Sequence, residues 1–211
     1  IDSYGGTLDK FIGDAIMAIF HLPEEGLKAS IQMIEELQAL NEGRNNAGYR
    51  PLRIGIGLNT GMLMMGTIGH EDRLSTTVIG DTVNLSARLE SLTKEYFTPI
   101  LVSEFTMINL PEKEKEFLRE VDSVIVKGKT NAVKIFECFA NDSEDLKIQK
   151  KKCIKEFTEA VSFLEAEDYV TALDKFLKLK DILVGDVILS FHIIRCQEMI
   201  DSMKKRAKVA S

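Results

Sequence analysis

The chain is poor in cysteine and histidine, carries no excess of positive charge and contains no long apolar run. Its three cysteines, Cys138, Cys153 and Cys196, show neither metal-ligand spacing nor a disulfide pattern. They read as reduced thiols of a cytoplasmic compartment. The three histidines, His21, His70 and His192, are scattered and are assigned no chemistry. A net charge of −6 argues against general nucleic-acid binding, which needs basic surface to neutralise phosphates. No run is long enough to span a membrane and no secretory signal is visible. Membrane contact is therefore expected only through segments upstream of Ile1 in a longer parent, of which this would be the cytosolic part.

What is present is an ordinary globular composition, 45% hydrophobic and 28% charged over 211 residues, enough for one domain with an appendage. Three polar blocks interrupt the apolar pattern. In the first, Phe11 to Phe20 is apolar and β-compatible except for Gly13-Asp14. It predicts two buried strands joined by a tight turn, a hairpin in the middle of a sheet. Asp14 at the tip suits a hard cation such as Mg²⁺, although aspartate in such a turn also commonly bonds its own backbone.

The second block is Val78-Ile79-Gly80-Asp81-Thr82-Val83-Asn84-Leu85-Ser86-Ala87-Arg88. A helix beginning at Asp81 sets Asn84 and Arg88 four residues apart on one face. An amide and a guanidinium so placed suit a phosphate ester, one fixing an oxygen and the other neutralising charge. The third block, Val126-Lys127-Gly128-Lys129-Thr130, lies between two strand-like runs. Two ammonium groups around a glycine can meet a polyphosphate, and the same composition serves a solvated hairpin turn.

In this order the blocks resemble the class III adenylate/guanylate cyclase catalytic domain, from about Ile1 to Phe139. The motifs that carry the resemblance are G-G-x-x-x-K-F-I-G-D-A-I-M-A-I-F, G-I-G-L-N-T-G with Gly61, Gly66 and Gly69 following, T-V-I-G-D-T-V-N-L-S-A-R-L-E, and V-K-G-K-T. The resemblance implies an α/β, ferredoxin-like cyclase fold, a central mostly antiparallel sheet with flanking helices. It implies conversion of ATP to 3′,5′-cyclic AMP and pyrophosphate at sites shared across a homodimer, with two Mg²⁺ or Mn²⁺ ions per site. Asp14 matches the second of the family's two metal-binding aspartates; the first would lie ahead of Ile1, which implies that the chain is a piece of a longer protein. Asn84 matches the ribose-orienting residue, Arg88 the residue that stabilises the transition state, and Lys127 the triphosphate-binding lysine, with Lys129 a weaker candidate. Lys10 and Thr77 match the pair that reads the purine.

The choice of base has a physical side. An ammonium only donates, so Lys10 can bond adenine N1 but opposes the N–H of guanine N1. The Thr77 hydroxyl can accept from the adenine amino group. The Lys/Thr pair resembles a subgroup that includes bicarbonate-responsive enzymes. The alternatives are a guanylate or mixed purine cyclase, and an inactive fragment that serves only dimerisation or regulation.

Between the blocks, apolar spacing predicts a helix over 24–40, a polar loop over 41–50, a strand over 52–60, and a short strand over 100–102 followed by a brief helix. Met62 to Met65 falls in an arm that, by the resemblance, reaches the partner subunit. Asn141-Asp142-Ser143-Glu144 is a polar break, placing a catalytic domain at 1–140 and a small all-α extension at 141–211. Phe157, Val161 and Leu164, then Tyr169 to Leu179, predict two antiparallel helices, and the segment 167–176 resembles part of a tetratricopeptide-like repeat. A further helix over 187–203 would point Ile188, Phe191, Ile194 and Cys196 inward. The lysines at 150–152 and Lys204-Lys205-Arg206 read as solvated faces.

Overall fold

The computed structural model describes residues 1–70, 73–125 and 132–209; the side chains at 65, 67–70, 73–77, 79, 208 and 209 are outside that description. Lys127 and Lys129 lie outside the described residues. The architecture is mixed α/β, with small sheets, flanking helices and a run of three helices at the end. Two compact units divide it, one formed by Ile1–Glu95 with Pro99–Lys115, the other by Tyr96–Thr98 with Glu116–Ser211.

In the first unit, strands β1 (Thr7–Ile12) and β2 (Ala15–Ile19) pair antiparallel around Gly13-Asp14. Gly13 takes φ 65, and Asp14 keeps a negative φ. That is the signature of a type II′ turn, whose twist matches the flanking strands. The hairpin is predicted to lie inside a larger sheet, but it forms a two-stranded sheet of its own. Phe11 (67% exposed), Ile12 and Ile16 stay in contact with solvent, and no described strand pairs with the hairpin's outer edges.

Helix α1 (Pro23–Asn46) opens with Pro23 in its first turn, and the Glu25 carboxylate accepts from the Leu22 N–H at 3.2 Å. It continues well past the predicted end at 40, through Gly43. Asn41 explains this: its amide donates to Leu52 O and accepts from Leu52 N–H, both at 2.8 Å, tying the last turns to the returning chain. Arg44 adds a bond to Arg50 O and lies over the Tyr49 ring. Strand β3 (Ile56–Leu58) is shorter than predicted, and runs parallel to the wholly buried β6 (Ile100–Ser103). Between them in sequence come the antiparallel β4 (Met64–His70) and β5 (Arg73–Ile79), then α2 (Asp81–Leu92). Ser103 caps the short α3 (Glu104–Asn109), its hydroxyl accepting from Thr106 N–H.

In the second unit, β7 (Leu118–Ile125) pairs antiparallel with β8 (Ala132–Cys138). Three helices follow, α4 (Glu144–Glu165), α5 (Tyr169–Leu179) and α6 (Val187–Val209). Ser143 and Asp168 cap the first two. Phe157, Val161, Leu164, Ala172, Phe176, Leu179, Ile188 and Cys196 are buried, as their spacing predicts. Ile194 is not; it is exposed, and the buried stripe of α6 runs through His192 instead. The imidazole holds that place by a 2.8 Å bond from Nε2 to Val121 O and by stacking on the Phe176 ring.

Lys150 also departs from expectation. It is buried, and its ammonium meets Glu137 Oε2 at 2.8 Å and Asp142 Oδ2 at 2.7 Å. Arg119, equally buried, bonds Glu137 and Asp186 and lies 3.8 Å from the centre of the Phe157 ring. A solvated lysine run and a buried ion pair look identical until the distant carboxylates are placed.

Candidate active site

Helix α2 is fixed on one side and displayed on the other. Leu85 and Leu89 are buried, while Asn84 and Arg88 are exposed. The helix lies directly on β3 because Gly57 in that strand and Gly55 just before it leave room. A methyl group on Gly57 would come within 2.2 Å of Ser86 O and 2.5 Å of Glu90 N, and one on Gly55 within 2.0 Å of Thr93 Oγ1. Ser86 Oγ donates to Gly57 O at 2.7 Å, reinforcing that close approach.

The first turn of α2 is tied to the preceding loop. Asn59 Nδ2 donates to Thr82 O at 2.9 Å, and Ser103 Oγ donates to Asn59 Oδ1 at 2.7 Å. Thr82 Oγ1 donates to Met62 O at 2.8 Å. These bonds set the azimuth at which Asn84 and Arg88 leave the helix. The parts that Ser86, Asn59 and Ser103 play in seating α2 are not legible in the sequence, where Ser103 or Glu104 reads only as the start of a brief helix. The glycine spacing Gly55-Ile56-Gly57 was the local signal, since alternate glycines on one strand face mark close contact with another element.

The β1–β2 hairpin carries two more of the candidates. Asp14 is exposed at the turn, and Lys10, opposite Met17 across the strands, is a third exposed. Lys10 Nζ lies 3.3 Å from Asp9 Oδ2. Thr77 sits in β5 opposite Gly66. Asn84 and Arg88 thus share a helix face, and Lys10 and Asp14 share a hairpin.

The donor set can be tested against a divalent cation. Among the described residues no group of three or more His, Cys, Asp or Glu is arranged to hold a metal. Asp14 offers one carboxylate at an open tip. That fits a hard ion such as Mg²⁺, which keeps several waters and is held by one or two carboxylates together with substrate phosphates. It does not fit a closed, all-protein cage.

Residues 4–139 match the adenylate and guanylate cyclase catalytic domain family. The chain belongs to that family. It is 36% identical over 213 residues to the terminal-differentiation-specific adenylate cyclase of Dictyostelium discoideum, an alignment covering 97% of this chain and 10% of that protein. It is 43% identical over 147 residues to an adenylate cyclase of Anabaena cylindrica, covering 65% of this chain and 29% of that protein. The chain therefore spans a tenth of the first relative and under a third of the second. Among solved structures, the guanylyl cyclase Cya2 superimposes with a TM-score of 0.52 at 31% identity, over 64% of this chain and 71% of that one.

Proposed function

We propose that residues 1–140 form the catalytic region of an adenylate cyclase that converts ATP to 3′,5′-cyclic AMP and pyrophosphate, acting in cyclic-nucleotide signalling. The observation that carries this reading is the rigid display of Asn84 and Arg88 on the exposed face of α2, whose other face is locked onto β3. Asn84 orients the ribose, so that its 3′-hydroxyl faces the α-phosphate. Arg88 neutralises charge that develops on the α-phosphate as pyrophosphate leaves, a preorganised term that is usually the largest in such reactions. Lys10 donates to adenine N1, and Thr77 accepts from the exocyclic amine. Lys127 engages the triphosphate.

Asp14 would hold a divalent cation, Mg²⁺ or Mn²⁺, together with the substrate phosphates. Bound there, a pair of such ions would supply Lewis-acid stabilisation of the attacking oxygen and of the leaving pyrophosphate.

The site is completed by a second copy of the chain. Exposed apolar side chains on the arm, Met62 (94%) and Met64 (74%), support this homodimer, since adaptable thioethers suit such a contact. Residues 141–211 act as a helical, tetratricopeptide-like extension, a reading supported by the capped helices α4 and α5 beyond the family match. ATP as substrate places the reaction in the cytoplasm. Among the described residues no helix is long and apolar enough to cross a membrane.

A guanylate or mixed purine reading is supported by the likeness to Cya2. Lys10 opposes it, because guanine N1 presents a hydrogen where adenine presents a lone pair.

The deciding experiment is Arg88→Ala in the intact protein, assayed for cyclic AMP with Mg²⁺ or Mn²⁺. Turnover should fall on the order of 10²–10³-fold, with an unchanged melting temperature because the side chain is exposed. Near-normal turnover would remove the assignment.

A further inference from the structure

Strand β1 holds one residue more than its partner. Leu8 faces Ala18 and Lys10 faces Met17, which leaves Asp9 unmatched. In a regular strand, neighbouring side chains point to opposite faces; a bulge re-aims them. Here the bulge brings the Asp9 carboxylate to the ammonium of the next residue, Oδ2 to Nζ 3.3 Å. The Asp9 side chain is 6% exposed, against 33% for Lys10. Asp9 Oδ2 is buried and has no hydrogen-bond donor, so the contact with Lys10 is an ion pair without hydrogen-bond alignment.

A carboxylate taken out of water is costly unless an opposite charge offsets it. The Lys10 ammonium supplies that charge. The constraint runs both ways: a lysine head on a flexible four-carbon stem is held by a carboxylate that the bulge has fixed. Bulges recur beside active sites for this purpose.

We propose that Asp9 is a positioning residue for base recognition: the β1 bulge sets its carboxylate against Lys10 and holds the ammonium where the purine edge arrives. The proposal rests on the reading of Lys10 as the purine-contacting lysine. A donor already in place costs substrate binding less ordering than a freely rotating one. Its effect should therefore appear in KM for ATP and in the preference for ATP over GTP, both of which a purely structural role would leave alone.

The test compares Asp9→Ala, Asp9→Asn, Lys10→Ala and the Asp9→Ala/Lys10→Ala double variant in the intact protein. Each is assayed for steady-state kinetics with Mn²⁺ and either ATP or GTP, and for thermal melting. Asp9→Ala should raise KM for ATP about tenfold with kcat changed less than about threefold, the pattern of lost binding rather than lost chemistry. The ATP/GTP ratio of kcat/KM should fall about fivefold or more. Asp9→Asn, which keeps the shape without the charge, should move both values the same way, and it decides the matter if Asp9→Ala does not fold. The double variant should be no worse than Lys10→Ala alone, because the two residues act as one unit. Wild-type KM and selectivity in the Asp9 variants, with Lys10→Ala still altered, would overturn the proposal and leave the base-reading role of Lys10 standing. Additive losses in the double variant would also overturn it. An unchanged ATP/GTP ratio in Lys10→Ala would remove both.

Discussion

Arg119 and Asp186, 67 residues apart in the chain, meet through a 2.7 Å bond from Nη1 to Oδ2 with both side chains fully buried. Arg119 joins β7 to the start of α6, because Asp186 Oδ1 also accepts from Leu189 N–H at 3.0 Å. Glu137 on β8 and Lys150 on α4 extend the network. Burial disfavours the charge on Arg119, but the carboxylates of Glu137 and Asp186 outweigh it and hold the guanidinium above its usual range. Asp186 is the mirror case: burial pushes its carboxyl up, Arg119 pulls it down, and the net direction is down.

Removing one member of such a set leaves the others buried without compensation. Arg119→Met should destabilise the folded protein by about 3–5 kcal/mol, much more than a surface charge deletion. The midpoint of urea unfolding reads this directly. Arg119→Met and Asp186→Asn together should cost clearly less than their sum. A loss below about 0.5 kcal/mol for Arg119→Met, the range of an ordinary surface change, would show that the network carries no weight.

His192 gives the second unit a pH dependence. Its Nε2 bonds a carbonyl, which only accepts, so that nitrogen carries the hydrogen; Nδ1 is buried without a hydrogen-bond partner. Burial is the main cause that lowers its pKa to about 4, with Arg195 and Arg119 acting the same way and Asp122 opposing. A histidine depressed in the folded state binds its proton more readily when unfolded. Stability is thus fully present above about pH 6.5 and lost as the pH falls toward 4. Between pH 7 and 5 the loss should be about 2 kcal/mol. His192→Gln keeps an amide donor but does not titrate, so its urea midpoint should change much less over the same interval. Parallel pH profiles for the two proteins would contradict this.

The thiols should be silent in the folded state. All three are buried. Desolvation pushes Cys138 up to about 12 and Cys196 up to about 11, and it raises Cys153 as well. Since the thiolate is the reactive form, labelling at pH 8 should be negligible until the protein is unfolded in guanidinium, when all three should react. Rapid labelling of any one in the native protein would show that its surroundings open readily.

The parts of the fold that were legible in the sequence depend on neighbours in the chain. The turn at Gly13-Asp14, the start of α2 at Asp81, the cap at Ser143 and the apolar spacing of Phe157, Val161 and Leu164 all follow from residues a few positions away. The illegible parts depend on distant ones. Lys150 looked solvated because Glu137 and Asp142 could not be placed beside it. His192 looked idle because Val121 lies 71 residues earlier. Helix α1 outran its predicted end because the contacts of Asn41 with Leu52 outweigh the helix-weakening effect of Gly43. The same holds in the site: Asn84 and Arg88 were legible as an i, i+4 pair, whereas the bulge that turns Asp9 toward Lys10 arises from strand register.

Gly57 offers the most direct link between fold and site. A methyl group there meets backbone atoms of α2, Ser86 O and Glu90 N, which cannot rotate away as a flexible side chain would. The helix must shift, and with it Asn84 and Arg88. Gly57→Ala should therefore destabilise by about 1–3 kcal/mol, the usual cost of overpacking. On the roles proposed for Asn84 and Arg88, cyclic AMP formation should fall about 10²-fold even where the protein remains folded, the cost that a displacement of about 1 Å at a catalytic group can carry. Gly43→Ala is the control. Its added methyl group meets nothing within 4 Å and sits inside α1, so it should stabilise by about 0.5–1 kcal/mol without altering turnover. Melting temperature and initial rate, measured together on both variants, separate the two effects. Full activity in a folded Gly57→Ala protein would mean that the close seat of α2 on β3 does not set the geometry of its exposed face.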